Sequence, residues 1–208
     1  MMLEQKTTEF LDVLSSSAPV PGGGGASAAV GAFAASLGMM VTNLTLGKKK
    51  YADVEEEILA IRDKLERLRD ELVALTDQDA ENFAPLAKAY SLPKNTEEEK
   101  EEKERVMEVA LYHASIVPLQ IMETVFSAME NLEILEEKGS RLAVSDVGVG
   151  ILFAGAALEG ASLNIFINTK MMKNREQAEE LNRRADRLIA EGRALQEKVY
   201  AAVLGKIQ

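Results

Sequence analysis

The chain has 208 residues and carries 24 Lys and Arg against 34 Asp and Glu, a net charge of −10 that disfavours binding to nucleic acid or an anionic membrane surface. Its length suffices for one hydrophobic core, so we predict a single domain over residues 1–208. With no cysteine and one histidine, the chain is not expected to have a disulfide framework, a Cys/His zinc site or a serine hydrolase site. Because it has no cysteine and its N-terminus shows no apolar targeting segment, we expect a cytoplasmic protein.

A glycine-rich loop comes first along the chain, in the sequence PVPGGGGAS at residues 19–27. It opens an uncharged helix that is predicted over residues 25–46 and is rich in Ala, Gly and Ser. The loop contains Gly22, Gly23, Gly24 and Gly25, whose amides and helix dipole suit an anion or a polarised carbonyl group. The pattern is not a Walker A loop, and from spacing alone a mobile turn explains it equally well.

Three consecutive lysines follow that helix in the sequence GKKKY, residues 47–51. They complement the negative end of the helix dipole. They are also the densest cationic cluster of an acidic chain, and Lys48, Lys50 and the adjacent Tyr51 suit the steering of a carboxylate-bearing ligand. The residues alone leave these two interpretations equally open.

A long amphipathic helix is predicted next, because apolar residues recur at alternating steps of four and three. They are Val54, Ile58, Ile61, Leu65, Leu68, Leu72 and Leu75. The helix is predicted to continue toward Tyr90 with a bend at Pro85. Asp79 lies where this helix returns to apolar sequence, and a carboxyl group so placed is a candidate acid or base with a raised pKa.

The next helix is predicted to start at Thr96, which forms a capping-box pair with Glu99. Its apolar stripe runs to Leu135, with a kink at Pro118. The only histidine, His113, lies on this stripe, so we predict a partly buried structural role for it. The acidic run at 97–104 is predicted to be a solvated face.

A second apolar helix is predicted over residues 146–168, followed by an amphipathic helix toward Ile207. Asn164 and Asn168 share one face of the apolar helix, where unpaired polar groups are costly, so we predict that they line a cavity. Asp146 suits either a binding role or the N-cap of this helix.

These elements predict an all-α fold, a bundle of about six helices in which the two apolar, small-residue helices 25–46 and 146–168 form the centre. Small residues at four-residue spacing permit close helix packing, some of it between subunits. Neither apolar helix is predicted to cross a membrane: the first has few large aliphatic residues, and the uncharged run 147–158 is shorter than the ~18 residues of a span.

Three blocks of sequence make the chain resemble the formiminotetrahydrofolate cyclodeaminase and methenyltetrahydrofolate cyclohydrolase family. They are residues 19–51, the DQDAENF stretch and residues 145–170. The resemblance implies an all-helical homodimer with substrate crevices near the subunit contact. It implies tetrahydrofolate derivatives as substrates, no metal and no tightly bound cofactor.

The resemblance also implies roles for the candidate residues. Asp79 is the expected general acid/base, with Lys48 and Lys50 near the reacting centre or the folate carboxylates and Tyr51 beside them. Asn164 and Asn168 are expected to hydrogen-bond the pterin or the bridge, with Asp146 also in the binding set and the Gly22 to Gly25 amides against the ligand.

Two enzymatic activities follow from the resemblance. The first expectation is a cyclodeaminase, which forms 5,10-methenyltetrahydrofolate and ammonia from 5-formiminotetrahydrofolate. The alternative is a cyclohydrolase, which opens the methenyl bridge to 10-formyltetrahydrofolate and which the missing formiminotransferase domain favours. A non-catalytic helical interaction module is the third possibility.

Overall fold

The computed structural model describes all 208 residues and contains six α-helices and no strand, which confirms the predicted all-α bundle. The helices are α1 (Thr7–Leu14), α2 (Gly23–Asn43), α3 (Glu55–Tyr90), α4 (Glu97–Lys138), α5 (Val144–Thr169) and α6 (Arg175–Ile207). Short 3₁₀ helices precede α1, α3 and α5.

The helices form two layers. Helices α2, α3, α5 and α6 form one layer, and α4 packs across it and contacts all four. Helices α2 and α5 lie side by side, α3 flanks α2, and α6 flanks α5. The predicted stripe of α3 is buried from Ile58 to Leu75, and α4 buries Val117, Ile121 and Val125 beneath the central pair. No further long helix packs on α2 and α5, and only the short α1 lies beside the first turns of α2, across an apolar groove.

Close packing of the two central helices depends on their small residues. A Cβ atom on Gly31 would lie 2.7 Å from Val125 Cγ2, and one on Gly160 would lie 2.7 Å from Ser27 Oγ. A Cβ atom on Gly150 would lie 3.5 Å from the carbonyl oxygen of Ala34, an ordinary contact, and together with the Gly160–Ser27 approach this shows that α2 and α5 run antiparallel. The start of α2 consequently lies beside the end of α5.

Helix ends follow the sequence signals in one case and not in another. Thr96 accepts a hydrogen bond from the Glu99 amide at 3.2 Å, so the predicted capping box forms. Asp146 is not an N-cap, because α5 begins at Val144 and Asp146 lies in its first turn. There its negative charge still favours the helix dipole.

The prediction of a partly buried His113 is wrong. His113 is exposed on α4, on the rim of a groove between α3 and α4. Val125 packs against Gly31 and Leu132 packs against Gly38, so α4 runs parallel to α2. The turns of α4 before Val125 therefore extend beyond the start of α2. One side of the stripe around His113 therefore has no central helix to cover it.

By length and composition alone, three helical segments are apolar enough to cross a membrane. They are Gly23–Asn43, Glu97–Lys138 and Arg141–Thr169. Between 56% and 61% of each apolar window is buried inside the bundle, so helix packing uses much of this apolar surface. The absence of a membrane span stays a prediction.

Candidate active site

The start of α2 is an open helix N-terminus held between α3 and α5. Gly22 is its N-cap and has no side chain of its own to cap this end. The carbonyl oxygen of Gly22 accepts from the Ala26 amide at 2.9 Å, which closes the first turn. Amides of the glycines before Ala26 therefore remain free for other partners.

Asp79 of α3 faces this helix start directly. A Cβ atom on Gly24 would lie 2.5 Å from Asp79 Oδ2 and 2.6 Å from its carboxyl carbon, so only glycine leaves room for the carboxyl group. The side chain is half-buried, and burial raises the pKa of Asp79 above its ordinary value, while a hydrogen bond from the Gly25 amide lowers it. A carboxyl group with a raised pKa holds its proton more readily than an ordinary aspartate, which suits an acid/base role.

Asn164 of α5 lies on the other side of the same helix start. Its amide atoms are 3.6 and 3.7 Å from the position that a Cβ atom on Gly23 would take. Its Nδ2 donates to the Gly160 carbonyl at 3.2 Å, which leaves the carbonyl oxygen of the side chain free to accept. Asp79, Asn164 and the first turn of α2 thus form one cluster from the three blocks of the resemblance.

Asn168 lies one turn beyond Asn164 toward the end of α5 and is 7% exposed, and its lining of a cavity stays a prediction. Thr76 and Pro21 also contact the first turn of α2. A Cβ atom on Gly25 would lie 3.5 Å from the Thr76 carbonyl oxygen and 3.4 Å from Pro21 Cβ. The sequence did not single out Thr76, and only its position one turn before Asp79 signals it.

Lys48, Lys50, Tyr51 and Asp146 lie at the opposite end of α2. Tyr51 hydroxyl accepts a hydrogen bond from the Arg141 amide at 3.2 Å, which lowers the pKa of Tyr51 and holds this segment against the start of α5. Lys50 Nζ lies 5.3 Å from the centre of the Tyr51 ring. Within one chain, these predicted site residues are not brought together with Asp79.

An apolar groove runs along α2 from the cluster toward the middle of the helix. It has a volume of about 330 Å³ and lies between the N-terminal segment, α2 and α3. Its lining includes Phe10, Ala26, Phe33 and Val73, with Arg69 at the rim. Its lining begins at Ala26, the residue after Gly25, and includes neither Asp79 nor Asn164.

A half-buried carboxyl group, the first-turn amides of α2 and a side-chain amide form a candidate enzyme site for proton transfer, and the structure has no group of three or more His, Asp or Glu side chains that could hold a metal ion. The Formiminotransferase-cyclodeaminase family model matches residues 6–187. The chain therefore belongs to this family, which confirms the resemblance.

The curated relatives include both predicted activities. The methenyltetrahydrofolate cyclohydrolase of Methylorubrum extorquens is 43% identical over 198 residues, which is 95% of each protein. The formimidoyltransferase-cyclodeaminase of Gallus gallus is 30% identical over 184 residues. That match covers 88% of this chain and 34% of the relative, so the chain spans about a third of the length of that protein.

A solved structure has the same fold over its full length. The formiminotetrahydrofolate cyclodeaminase of Thermotoga maritima matches with a TM-score of 0.89 and 28% sequence identity, covering 100% of both chains.

Proposed function

We propose that this protein is a folate one-carbon enzyme that hydrolyses 5,10-methenyltetrahydrofolate to 10-formyltetrahydrofolate. The observation that carries the chemistry is the Asp79 carboxyl beside the first turn of α2, with a pKa raised by burial. The 43% identity to a methenyltetrahydrofolate cyclohydrolase favours hydrolysis over the deaminase that the sequence first suggested.

The substrate is a cation whose positive charge is shared by N5, the bridge carbon and N10. A carboxylate next to this bridge stabilises the cation and takes a proton from a water molecule as its oxygen bonds to the carbon. The C–N5 bond then breaks, N5 gains a proton, and the carbon stays on N10 as a formyl group. One proton is released overall, which balances the charge of the substrate.

The cyclodeaminase reaction is the second candidate, favoured by the solved relative with a TM-score of 0.89. N10 attacks the formimino carbon, loses its proton, and ammonia leaves after protonation of the imino nitrogen. Both reactions pass through a tetrahedral carbon bonded to N5, N10 and a third heteroatom, oxygen or nitrogen. One acid/base group beside that carbon therefore serves either reaction.

The neighbours of Asp79 have distinct roles in this proposal. Asn164 offers a free side-chain oxygen to the pterin ring or the bridge nitrogens, with Asn168 one turn away. The Gly22 to Gly25 turn lets the backbone approach the ligand. Neither a metal nor a tightly bound cofactor enters the mechanism.

We also propose a cytoplasmic homodimer. Exposed apolar side chains on the free side of α2 and α5 support the dimer, because soluble monomers rarely expose such continuous apolar surface. The net charge of −10 and the absence of cysteine support the cytoplasm.

The absorbance of 5,10-methenyltetrahydrofolate tests the function. Purified protein is expected to consume it much faster than buffer does, and Asp79→Asn is expected to lose this activity. Formation of the methenyl compound and ammonia from 5-formiminotetrahydrofolate, without hydrolysis, would establish the deaminase instead. Turnover of neither substrate would contradict both and leave the non-catalytic module.

A further inference from the structure

A groove rich in lysine lies between the start of α4, the loop before it and the turn that joins α5 to α6. It has a volume of about 390 Å³ and is lined by four lysines but only two acidic residues. The lysines of this lysine groove are Lys94, Lys100, Lys103 and Lys173. The whole chain carries 24 Lys and Arg against 34 Asp and Glu, so the groove reverses the charge balance of the protein.

The lysine groove lies at the ends of the two helices that carry the site residues. Asp79 on α3 and Asn164 on α5 flank the start of α2. Beyond that start the two helices come together, since the Tyr90 hydroxyl donates a hydrogen bond to Met171 Sδ at 3.8 Å. Lys103 Nζ donates to the Tyr90 carbonyl oxygen at 2.7 Å, and Met171 also lines the groove, so the groove adjoins this contact.

The distance between the site and the groove suits the length of a folate whose bridge lies at Asp79. Asp79 and Tyr90 are separated by about 16 Å along α3, at 1.5 Å per residue. The benzoyl ring and glutamate of a folate extend on the order of 10 Å from N10, and a lysine side chain spans about 6 Å more. The groove lining includes neither Asp79 nor Asn164, so only the tail of such a ligand enters it.

We propose that the lysine groove binds the glutamate-tail carboxylates of the folate whose one-carbon bridge reacts at Asp79 of the same chain. This inference rests on the proposed function. It assigns the tail to Lys94 and Lys173 rather than to Lys48 and Lys50, which lie at the opposite end of α2. A lysine ammonium group attracts a carboxylate and donates hydrogen bonds to it, so the groove holds the end of the substrate while its bridge lies at the carboxyl group.

Two lysines of the groove offer positive charge that the fold does not need. Lys94 is exposed and forms no ion pair. Lys173 pairs only with Glu104, where both side chains are more than half exposed, and such surface pairs contribute little to stability. Glu108 instead accepts hydrogen bonds from the Lys173 and Asn174 amides at 2.7 and 2.8 Å, so this carboxylate holds the turn in place.

The apolar part of the lining favours a glutamate tail over a small inorganic anion. Met107, Leu111 and Met171 line the groove together with the lysines. The glutamate of a folate has two methylene groups between its carboxylates, and these bury apolar area against such side chains. A free phosphate has no apolar part to bury, so the lining matches a ligand with both charged and apolar groups.

Kinetics with and without the tail test the assignment. The two substrates are 5,10-methenyltetrahydrofolate and 5,10-methenyltetrahydropteroate, which lacks the glutamate. The wild type is expected to have the lower KM for the folate. The double variant Lys94→Gln, Lys173→Gln is expected to raise that KM about tenfold, without changing kcat or the KM for the pteroate. Added salt is expected to raise the KM of the wild type for the folate more than that of the variant.

A second double variant, Lys64→Gln, Lys198→Gln, is the matched control. It removes the same two charges from α3 and α6, outside the groove, and is expected to keep the wild-type KM for both substrates.

Three kinetic results would overturn the inference. An unchanged KM of Lys94→Gln, Lys173→Gln for the folate would remove these lysines from tail binding. Equal changes for both substrates would mean that the variant perturbs the site as a whole. Loss of the preference for the folate in Lys48→Gln, Lys50→Gln instead would place the tail at those lysines.

Binding of 5-formyltetrahydrofolate, measured by titration calorimetry, separates this inference from the proposed function because it needs no turnover. The wild type is expected to bind it about tenfold more tightly than Lys94→Gln, Lys173→Gln. If the wild type turns over neither folate but this difference remains, the proposed function is wrong and the tail site stands. If the wild type hydrolyses the methenyl compound and both proteins bind equally tightly, the tail site alone is wrong. No binding to the wild type would contradict both.

Discussion

The Asp79 carboxyl group lies so close to Gly24 that no larger residue fits at position 24 without displacing it. A Cβ atom at Gly24 would lie 2.5 Å from Asp79 Oδ2, closer than any normal van der Waals contact. Gly24→Ala therefore pushes the carboxyl group away from the helix start while leaving its chemistry intact. Because a misplacement of about 1 Å can cost about 10²-fold in rate, we expect kcat/KM to fall by about that factor.

The stability of Gly24→Ala separates displacement from unfolding. Alanine favours a helix by up to about 1 kcal/mol over glycine, so the melting temperature is expected to change little. Gly205→Ala is the matched control, since no atom lies within 4 Å of its Cβ position on α6, and it is expected to retain full activity. Full activity of Gly24→Ala would mean that the position of the carboxyl group does not matter for turnover.

The raised pKa of Asp79 predicts the pH dependence of the hydrolase. As a base the carboxyl group must be ionised, so kcat/KM falls as the pH drops through its pKa, above the ordinary value of about 3.9. Asp79→Asn is expected to lose about 10² to 10⁴ in kcat/KM and to lack this acidic limb. A profile that falls at high pH instead would make Asp79 the acid.

The same shift predicts how Asp79 affects stability. Burial raises its pKa in the folded state, so folding favours the neutral carboxyl group, and the penalty for ionisation appears as the pH rises from the unfolded pKa to the folded one. Asp79→Asn should therefore melt at a higher temperature than the wild type at pH 7, with the difference vanishing below about pH 3.5. Thermal melts at both pH values measure this, and a constant difference would contradict it.

The sequence predicted the parts of the fold that depend on local patterns. The four-and-three spacing of α3, the capping box at Thr96 and the two small-residue helices all follow from periodicity and helix-end chemistry. Asp79 was also recognisable as a candidate, because a carboxylate beside apolar sequence is unusual. The exposure of His113 could not be predicted from the sequence, because it depends on how far α4 extends beyond the start of α2.

Tertiary arrangement explains what the sequence did not reveal about the site. The antiparallel order of α2 and α5 places Asn164 next to Gly23 and Asp146 at the far end, although both asparagine and aspartate lie on the same helix. Likewise, uniformly apolar helices carry no pattern that identifies the side without a neighbour. The exposure of Leu163 and Ile167 shows that side only after the helices are packed.

Asn164 is predicted to contribute to ligand binding rather than to the fold. Its Nδ2 bonds only to carbonyl groups of its own helix, at 3.2 and 3.5 Å, so Asn164→Ala breaks no hydrogen bond between helices. Losing one hydrogen bond of about 0.5 to 1.5 kcal/mol to the substrate is expected to lower kcat/KM by about two- to twelvefold. Steady-state kinetics with a thermal melt measure this, and unchanged kinetics would restrict Asn164 to closing its own helical turn.

Leu163 tests whether the exposed apolar side of α2 and α5 forms the proposed dimer contact. Its side chain is 68% exposed in one subunit, and a two-fold axis makes each substitution count twice. Burying a leucine contributes about 1.5 to 3 kcal/mol, so Leu163→Glu is expected to weaken the dimer by at least about 10²-fold and to reduce activity with it.

Sedimentation velocity over a range of protein concentrations measures that equilibrium directly. Val109→Glu is the matched control, because Val109 is 52% exposed on α4, in the other layer of the bundle, and should leave dimerisation unchanged. A Leu163→Glu protein that stays dimeric and active would place the subunit contact elsewhere. If both variants dissociate, the exposed apolar side of α2 and α5 has no special role in assembly. If only Leu163→Glu dissociates and loses activity, this side is needed for both assembly and turnover.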